Sequence, residues 1–326
     1  MSISSRIEVP DMIAVLPVVA ETRSSMQTKI KRRLDESGKT ISEAIAERKL
    51  YFRISLVSHC NLACPFCHNE GAPLRGRLDL AFATEAIKAA AGVGFTRVQF
   101  TGGEPLLHPQ VAEFVGSARS IVADVGITTN GTFLEKHLDS LVQNRLTRLH
   151  ISLQVEPLEM AGKNGVWGVP EWLISALDLA AKRAFLLRLN LPVPSNSLPK
   201  AKGFLEELAP YGCDIKTFSI LPEGATRNGL YPLEELIEIV EVENRRRSEA
   251  GQIGTVQLRG YRPPTGIRCR TCPDQSRCKE QSHSLRLGAD RMLRPCLATR
   301  AWDSVLEGSF EPQIRNATLL ALDYRW

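Results

Sequence analysis

From Tyr51 onward, short stretches with alternating apolar and polar residues are separated by longer ones in which apolar residues recur every third or fourth position. Alternation at period two marks a strand with unlike faces; the longer period marks an amphipathic helix. The pattern predicts six strands, over Tyr51–Val57, Arg97–Thr101, Asp124–Thr128, Arg148–Leu153, Phe185–Leu191 and Asp214–Leu221. Helices are predicted between and after them over Asp79–Ala91, His108–Ile121, Phe133–Asn144, Pro170–Arg183, Pro199–Leu208 and Leu233–Arg247, with Asp79 placed to cap the first. Two more helical stretches, Ser24–Glu36 and Ile41–Lys49, come earlier in the chain.

Strands alternating with helices in this way point to βα units on a parallel sheet. The composition of the two strand faces sharpens that expectation. Phe52, Ile54 and Leu56 oppose Arg53 and Ser55, while Val98 and Phe100 oppose Arg97, Gln99 and Thr101. Leu149, Ile151 and Leu153 oppose Arg148, His150 and Ser152, and Leu187, Leu189 and Leu191 oppose Arg188 and Asn190. A parallel sheet packed on both faces against apolar material would be hydrophobic throughout. One face here is repeatedly polar, so helices should cover the apolar face and the other should line a wet or ligand-filled interior. The expected fold is α/β, a partial (βα)6 TIM-type barrel carrying a C-terminal extension. The expected divisions are a helical lead-in over 1–48, the barrel over 49–250 and a C-terminal unit over 251–326.

At 326 residues, 43% hydrophobic and 24% charged, the chain has an ordinary globular composition. The apolar run Met12–Ala20 is broken by Pro17, is too short to cross a bilayer and lacks a basic leader, so a cytoplasmic address without membrane contact is expected. Eight cysteines fall into two tight groups with Cys213 apart, a grouping that in a reducing compartment indicates metal ligation rather than disulfides. Cys213 itself reads as a buried thiol. The net charge of +5 is mild, but residues 259–300 hold ten Lys/Arg against three Asp/Glu. With 6% aromatic residues and no extended basic stripe, nucleic-acid binding is not expected.

The first group, Cys60, Cys64 and Cys67, lies directly after the first predicted strand, at the end where barrel enzymes place their chemistry. Three thiolates in so short a loop can hold three corners of an iron–sulfur cubane and leave the fourth iron open. Zinc is the competitor, with His68 as a conceivable fourth ligand, but the spacing differs from the usual paired arrangement.

At these residues the chain resembles the radical S-adenosylmethionine (radical SAM) superfamily, whose signature is three cysteines separated by three and two residues. The resemblance implies a [4Fe-4S] cluster on Cys60, Cys64 and Cys67 whose open iron is chelated by S-adenosylmethionine. Reductive cleavage then gives a 5′-deoxyadenosyl radical that abstracts hydrogen from substrate. It also implies that Phe66 lies against the adenine. Three further motifs match in order: Thr101-Gly102-Gly103-Glu104-Pro105, Thr128-Thr129-Asn130-Gly131 and His150-Ile151-Ser152-Leu153. They assign Gly102, Gly103, Glu104, Asn130 and Ser152, with Asn190 on the next strand, to cofactor binding. A one-electron reductant such as flavodoxin or ferredoxin is implied as partner.

The second group, Cys269, Cys272 and Cys278 followed by Cys296, supplies four thiolates for a further [4Fe-4S] cluster, with structural zinc as the alternative and an open iron if one cysteine is spare. The segment Leu285-Arg286-Leu287 to Arg294-Pro295-Cys296-Leu297 resembles the C-terminal region of the GTP 3′,8-cyclases. That resemblance implies substrate-binding roles for Arg53, Thr128, Arg188, Lys216 and Arg286. Gln99 stands where that branch has an arginine and Leu221 where it has a methionine. Arginines 262, 268, 270, 286, 291 and 294 either offset the charge of the second cluster or face a phosphate or carboxylate. The function expected is radical chemistry on a small anionic metabolite, with nucleosides and nucleotides as the preferred class. Modification of a ribosomally made peptide, and electron transfer or iron sensing without turnover, are the other readings.

Overall fold

The computed structural model describes residues 23–64, 67, 76–153, 168–183, 185–194, 198–211, 213–220, 233–252, 254–258, 284–296 and 303–322. Phe66, His68, Leu221, Cys269, Cys272, Cys278 and arginines 262, 268 and 270 lie outside them.

All six predicted strands form, as β1 (Tyr51–Ser55), β2 (Arg97–Thr101), β3 (Asp124–Thr129), β4 (Arg148–Ser152), β5 (Leu186–Pro194) and β6 (Asp214–Ile220). They pair in chain order and all parallel. Between and after them run α3 (Leu80–Val93), α4 (Val111–Arg119), α5 (Leu134–Gln143), α6 (Glu171–Arg183), α7 (Leu198–Leu208) and α8 (Leu233–Glu249), preceded by α1 (Arg23–Glu36) and α2 (Ile41–Glu47). Their boundaries follow local chemistry. Asp79 caps α3 by accepting from the Phe82 N–H at 3.0 Å, and α3 stops at Gly94, whose φ of 119° suits glycine. Thr40 and Glu43 form a reciprocal capping box on α2. The predicted helix over His108–Ile121 begins later, at Val111, because Pro105–Leu107 first makes a 3-10 turn.

Among the described residues, four strands and one α-helix lie beyond those expected. β7 (Val256–Leu258) extends the sheet beyond β6, β8 (Ser284–Leu287) pairs parallel with the other side of β1, and β9 (Met292–Arg294) and β10 (Ser304–Val305) follow antiparallel. The resulting order is β10-β9-β8-β1-β2-β3-β4-β5-β6-β7. The last helix, α9 (Phe310–Leu322), packs on α3 and α1.

Side-chain alternation sorts as the sequence pattern requires. Phe52, Ile54, Val98, Phe100, Val125, Ile127, Leu149, Ile151, Leu187, Leu189 and Leu191 are buried in one continuous apolar core under the helices. The opposite face is polar, yet Ser55, Gln99, Thr101 and Arg148 are also buried. Toward the N-terminal ends of the strands this face is closed by charge pairing. Asp124 takes Arg148 at 2.6 Å and Arg97 at 3.1 Å, with the Arg97 guanidinium over the Tyr51 ring. No described helix is long and apolar enough to cross a membrane.

Candidate active site

The loop carrying Cys60, Cys64 and Cys67 leaves the C-terminal end of β1 and is held down by the loop after β2. Gly103 N–H donates to the Val57 carbonyl at 2.8 Å, and Glu104 N–H donates to the His59 carbonyl at 2.9 Å. A Cβ on Gly102 would come within 2.4 Å of the Val57 oxygen, and one on Gly103 within 2.0 Å of the His59 oxygen. Gly102 also has φ +151°. The paired glycines therefore let the two backbones touch, and the partner they approach is the cysteine loop itself.

Glu104 is buried and accepts hydrogen bonds through both carboxylate oxygens. Its carboxylate accepts from Leu106 N–H at 2.9 Å, Thr129 Oγ1 at 2.7 Å and Asn130 N–H at 2.8 Å, tying the end of β2 to the end of β3. Burial raises its pKa, against the opposing pull of the bonds from Asn130, Thr129 and Leu106. Beyond it, Asn130 donates through Nδ2 to Asn61 Oδ1 at 3.0 Å and to Cys60 Sγ at 3.7 Å. Its Oδ1 accepts from Thr132 N–H and Thr132 Oγ1. The cysteine loop is thus docked onto the turn after β3, where Gly131, at φ +84°, lies against the Trp172 ring.

Below the loop, the polar face of β1 to β6 gathers Arg53, Gln99, Thr128, His150, Ser152, Arg188, Asn190 and Lys216. Strand register sets Thr128 beside His150, His150 beside Arg188, and Ser152, Asn190 and Lys216 in one row. Gln99 Nε2 donates to Thr128 Oγ1 at 3.0 Å, Arg53 Nη2 to Thr101 Oγ1 at 3.1 Å, and Asn190 Nδ2 to Ser152 Oγ at 3.4 Å. Gly126 leaves room for Gln99, whose Oε1 lies 2.2 Å from where a Cβ would stand.

His150 is the residue that sequence reasoning left without a role. Its Nε2 is buried and, among the described residues, has no hydrogen-bond partner. Desolvation, with repulsion from Arg148, Arg188, Arg53 and Lys216, pushes the imidazole down to about 3, so it is neutral among four cations. Two carboxylates offset that charge in part, Asp124 on Arg148 and Asp214 on Arg188 at 3.5 Å. Burial raises the Asp124 pKa, but the bonds and charges of Arg148, Thr147 and Arg97 together hold it below the ordinary value. The available signal in the sequence was the placement of His150 on the polar face between Arg148 and Arg188.

The C-terminal residues divide. Arg286 of β8 stands beside Arg53 in register and joins the polar face. Arg294 is instead held by Asp290 and by Asp303 at 3.2 Å, and Arg291 lies 4.5 Å over the Phe82 ring. Of the arginines considered for an anion, these two are therefore already engaged. β9 runs antiparallel to β8, so Cys296, two residues past β9 and buried, lies toward the end of the sheet opposite the first cysteine loop.

The Radical SAM superfamily family description matches residues 54–193. A GTP 3′,8-cyclase of Microcystis aeruginosa is 31% identical over 272 residues, 76% of this chain and 80% of that protein. The chain belongs to the radical SAM superfamily. A GTP 3′,8-cyclase of Chlorobaculum tepidum is 42% identical over 106 residues, which is 32% of either chain. The fold matches that of Streptococcus suis SuiB bound to its precursor peptide SuiA, at a TM-score of 0.60 and 16% identity, covering 99% of this chain and 73% of that one. As a radical SAM enzyme the protein uses S-adenosylmethionine and a [4Fe-4S] cluster. The partial TIM-type barrel is the fold of these neighbours.

Proposed function

We propose that this radical SAM enzyme abstracts hydrogen from a small anionic substrate, a nucleotide, held in the polar lumen below the first cysteine loop. The observation that carries the reading is the polar face of the sheet: Arg53, Arg188 and Lys216 share it with the neutral imidazole of His150, and Arg148 beside them is taken by Asp124. Guanidinium forks and an ammonium suit phosphate oxygens, and a neutral ring suits an uncharged hydroxyl or base edge. The relatives named GTP 3′,8-cyclase favour a nucleotide over other anions. Gln99, with its amide turned to Thr128, marks a lumen built differently from one with an arginine at that position.

Cys60, Cys64 and Cys67 fit the [4Fe-4S] cluster by donor chemistry. None of the three is in a disulfide, they lie within eight residues, and Cys60 Sγ accepts from the Leu62 and Asn130 N–H groups. Among the described residues no three ligating side chains converge on one point, as a single ion would require; a cubane takes each thiolate on a separate iron. When bound, cluster and S-adenosylmethionine supply the radical that takes a hydrogen atom from substrate. The chain's own part is positional. Glu104 and the paired glycines fix the loop, Asn190 and Ser152 stand at the C-terminal rim next to Lys216, and the cations orient the anion. Phe66 is assigned to the adenine. Cys269, Cys272, Cys278 and Cys296 are assigned to the second cluster, with Arg286 at its side of the lumen. A flavodoxin- or ferredoxin-type reductant delivers the electron.

The test is anaerobic reconstitution followed by chromatographic assay of 5′-deoxyadenosine with dithionite, across nucleoside triphosphates and non-nucleotide anions. Cofactor cleavage should rise severalfold with a nucleotide and vanish in Cys64→Ala. No stimulation by any nucleotide, with stimulation by a peptide instead, would overturn the assignment.

A further inference from the structure

We infer that Asn130 is a positioning residue that sets the reduction potential of the first cluster, through its carboxamide N–H on the Cys60 sulfur. The inference rests on the reading of Cys60 as a cluster ligand, and it differs from a direct contact between the Asn130 side chain and the cofactor.

Every valence of this side chain is occupied. Oδ1 accepts from Thr132 N–H at 3.0 Å and Thr132 Oγ1 at 2.7 Å, while Nδ2 donates to Asn61 Oδ1 at 3.0 Å and Cys60 Sγ at 3.7 Å. Thr132 Oγ1 in turn accepts from Asn61 Nδ2 at 3.0 Å, closing a ring of hydrogen bonds through Asn61, Asn130 and Thr132. The orientation of the amide is fixed by chemistry. Thr132 N–H can only donate, so the atom facing it is Oδ1 and the atom facing Cys60 is Nδ2. The backbone is fixed as well, by Asn130 N–H on the buried Glu104 carboxylate. A donor held this firmly on a ligating sulfur stabilises the more negative, reduced cluster, because hydrogen bonds to the sulfurs set its potential. Leu62 N–H, at 3.4 Å, is a second donor on the same sulfur among the described residues and comes from the loop itself. Asn130 is the one among these that reaches across from another strand, so it couples the electronics of the cluster to the end of β3, which also carries Thr128 into the lumen.

The variant that isolates the effect is Asn130→Ser. Its hydroxyl can still cap the turn by accepting Thr132 N–H, but it cannot present the amide donor to Cys60. Thr132→Val is the control, since it removes one member of the ring and leaves the N–H to sulfur contact in place. The full-length protein is reconstituted anaerobically, and the cluster signal lost in Cys60→Ala is followed by electron paramagnetic resonance during potentiometric titration. For Asn130→Ser the ratio of reduced to oxidised cluster at a fixed potential should fall threefold to tenfold, a downward shift of about 30 to 60 mV for one electron. Thr132→Val should stay within about twofold of wild type, or roughly 20 mV. An unchanged potential in Asn130→Ser overturns the inference. So does an equal shift in Thr132→Val, which would mean that loop geometry sets the potential. Failure of Asn130→Ser to take up a cluster also overturns it, by making the residue an assembly element. If instead the wild-type protein shows no signal dependent on Cys60, the ligand assignment fails and not the tuning argument.

Discussion

A histidine kept neutral by burial and by the cations around it should make the protein unusually acid-sensitive, and His150 allows the size of the effect to be worked out. Desolvation, then Arg148, Arg188, Arg53 and Lys216, bring its imidazole from 6.5 to about 3. Between those values the unfolded chain binds a proton that the folded one refuses, so stability rises with pH there. The contribution is complete above pH 6.5 and drains away as pH falls toward 3. At pH 5 the unfolded state is favoured by about 1.5 pH units of proton binding, roughly 2 kcal/mol. The substitution His150→Asn removes the titrating group and should flatten that part of the profile. The assay is urea unfolding of both proteins at about pH 7 and about pH 5, reading the difference between their losses so that other groups cancel. Equal losses in the two proteins would refute the reasoning. An anion bound in the lumen offsets the cations, so nucleotide present in the more acidic sample should shrink the difference as well.

Other outcomes follow from the same geometry. Asp124→Asn leaves Arg148, nearly buried, without its counter-charge; breaking a buried pair costs about 3–5 kcal/mol, and the partial exposure of Asp124 reduces this to about 2 kcal/mol, measurable by chemical denaturation. Gly103→Ala drives a methyl into the His59 carbonyl, so iron per reconstituted chain should fall severalfold while the far-ultraviolet circular dichroism stays unchanged. Arg188→Gln should raise KM for the anionic substrate about tenfold, corresponding to about 1.4 kcal/mol, with kcat largely kept.

Period-two alternation was enough to locate β1 to β6 because five or more residues sample both faces several times. β7 to β10, of two to four residues, offer too few positions for any period to register. Ser284-Leu285-Arg286-Leu287 read as a motif, and nothing local in it shows that it pairs with β1 more than two hundred residues earlier. The site was legible where a residue's chemistry is its own, as with the three clustered thiols. It was less so where partners decide: Arg294 looks like an anion ligand until Asp290 and Asp303 claim it, and the bonds that Glu104 and Asn130 make to each other and to Cys60 join residues far apart in the sequence. His150 needed four cations from four strands to become conspicuous.

The placement of β8 against β1 has a bearing on how the chain is made. A ribosome delivers β1 more than two hundred residues before β8, the strand that covers its outer edge. Until then Tyr51 to Ile54 present unpaired backbone donors and acceptors, the kind of edge that recruits foreign strands. Nascent or C-terminally shortened forms should therefore depend on chaperones and aggregate, and the segment that seals the sheet also carries Arg286 into place beside Arg53, so the lumen is completed only as the edge is sealed.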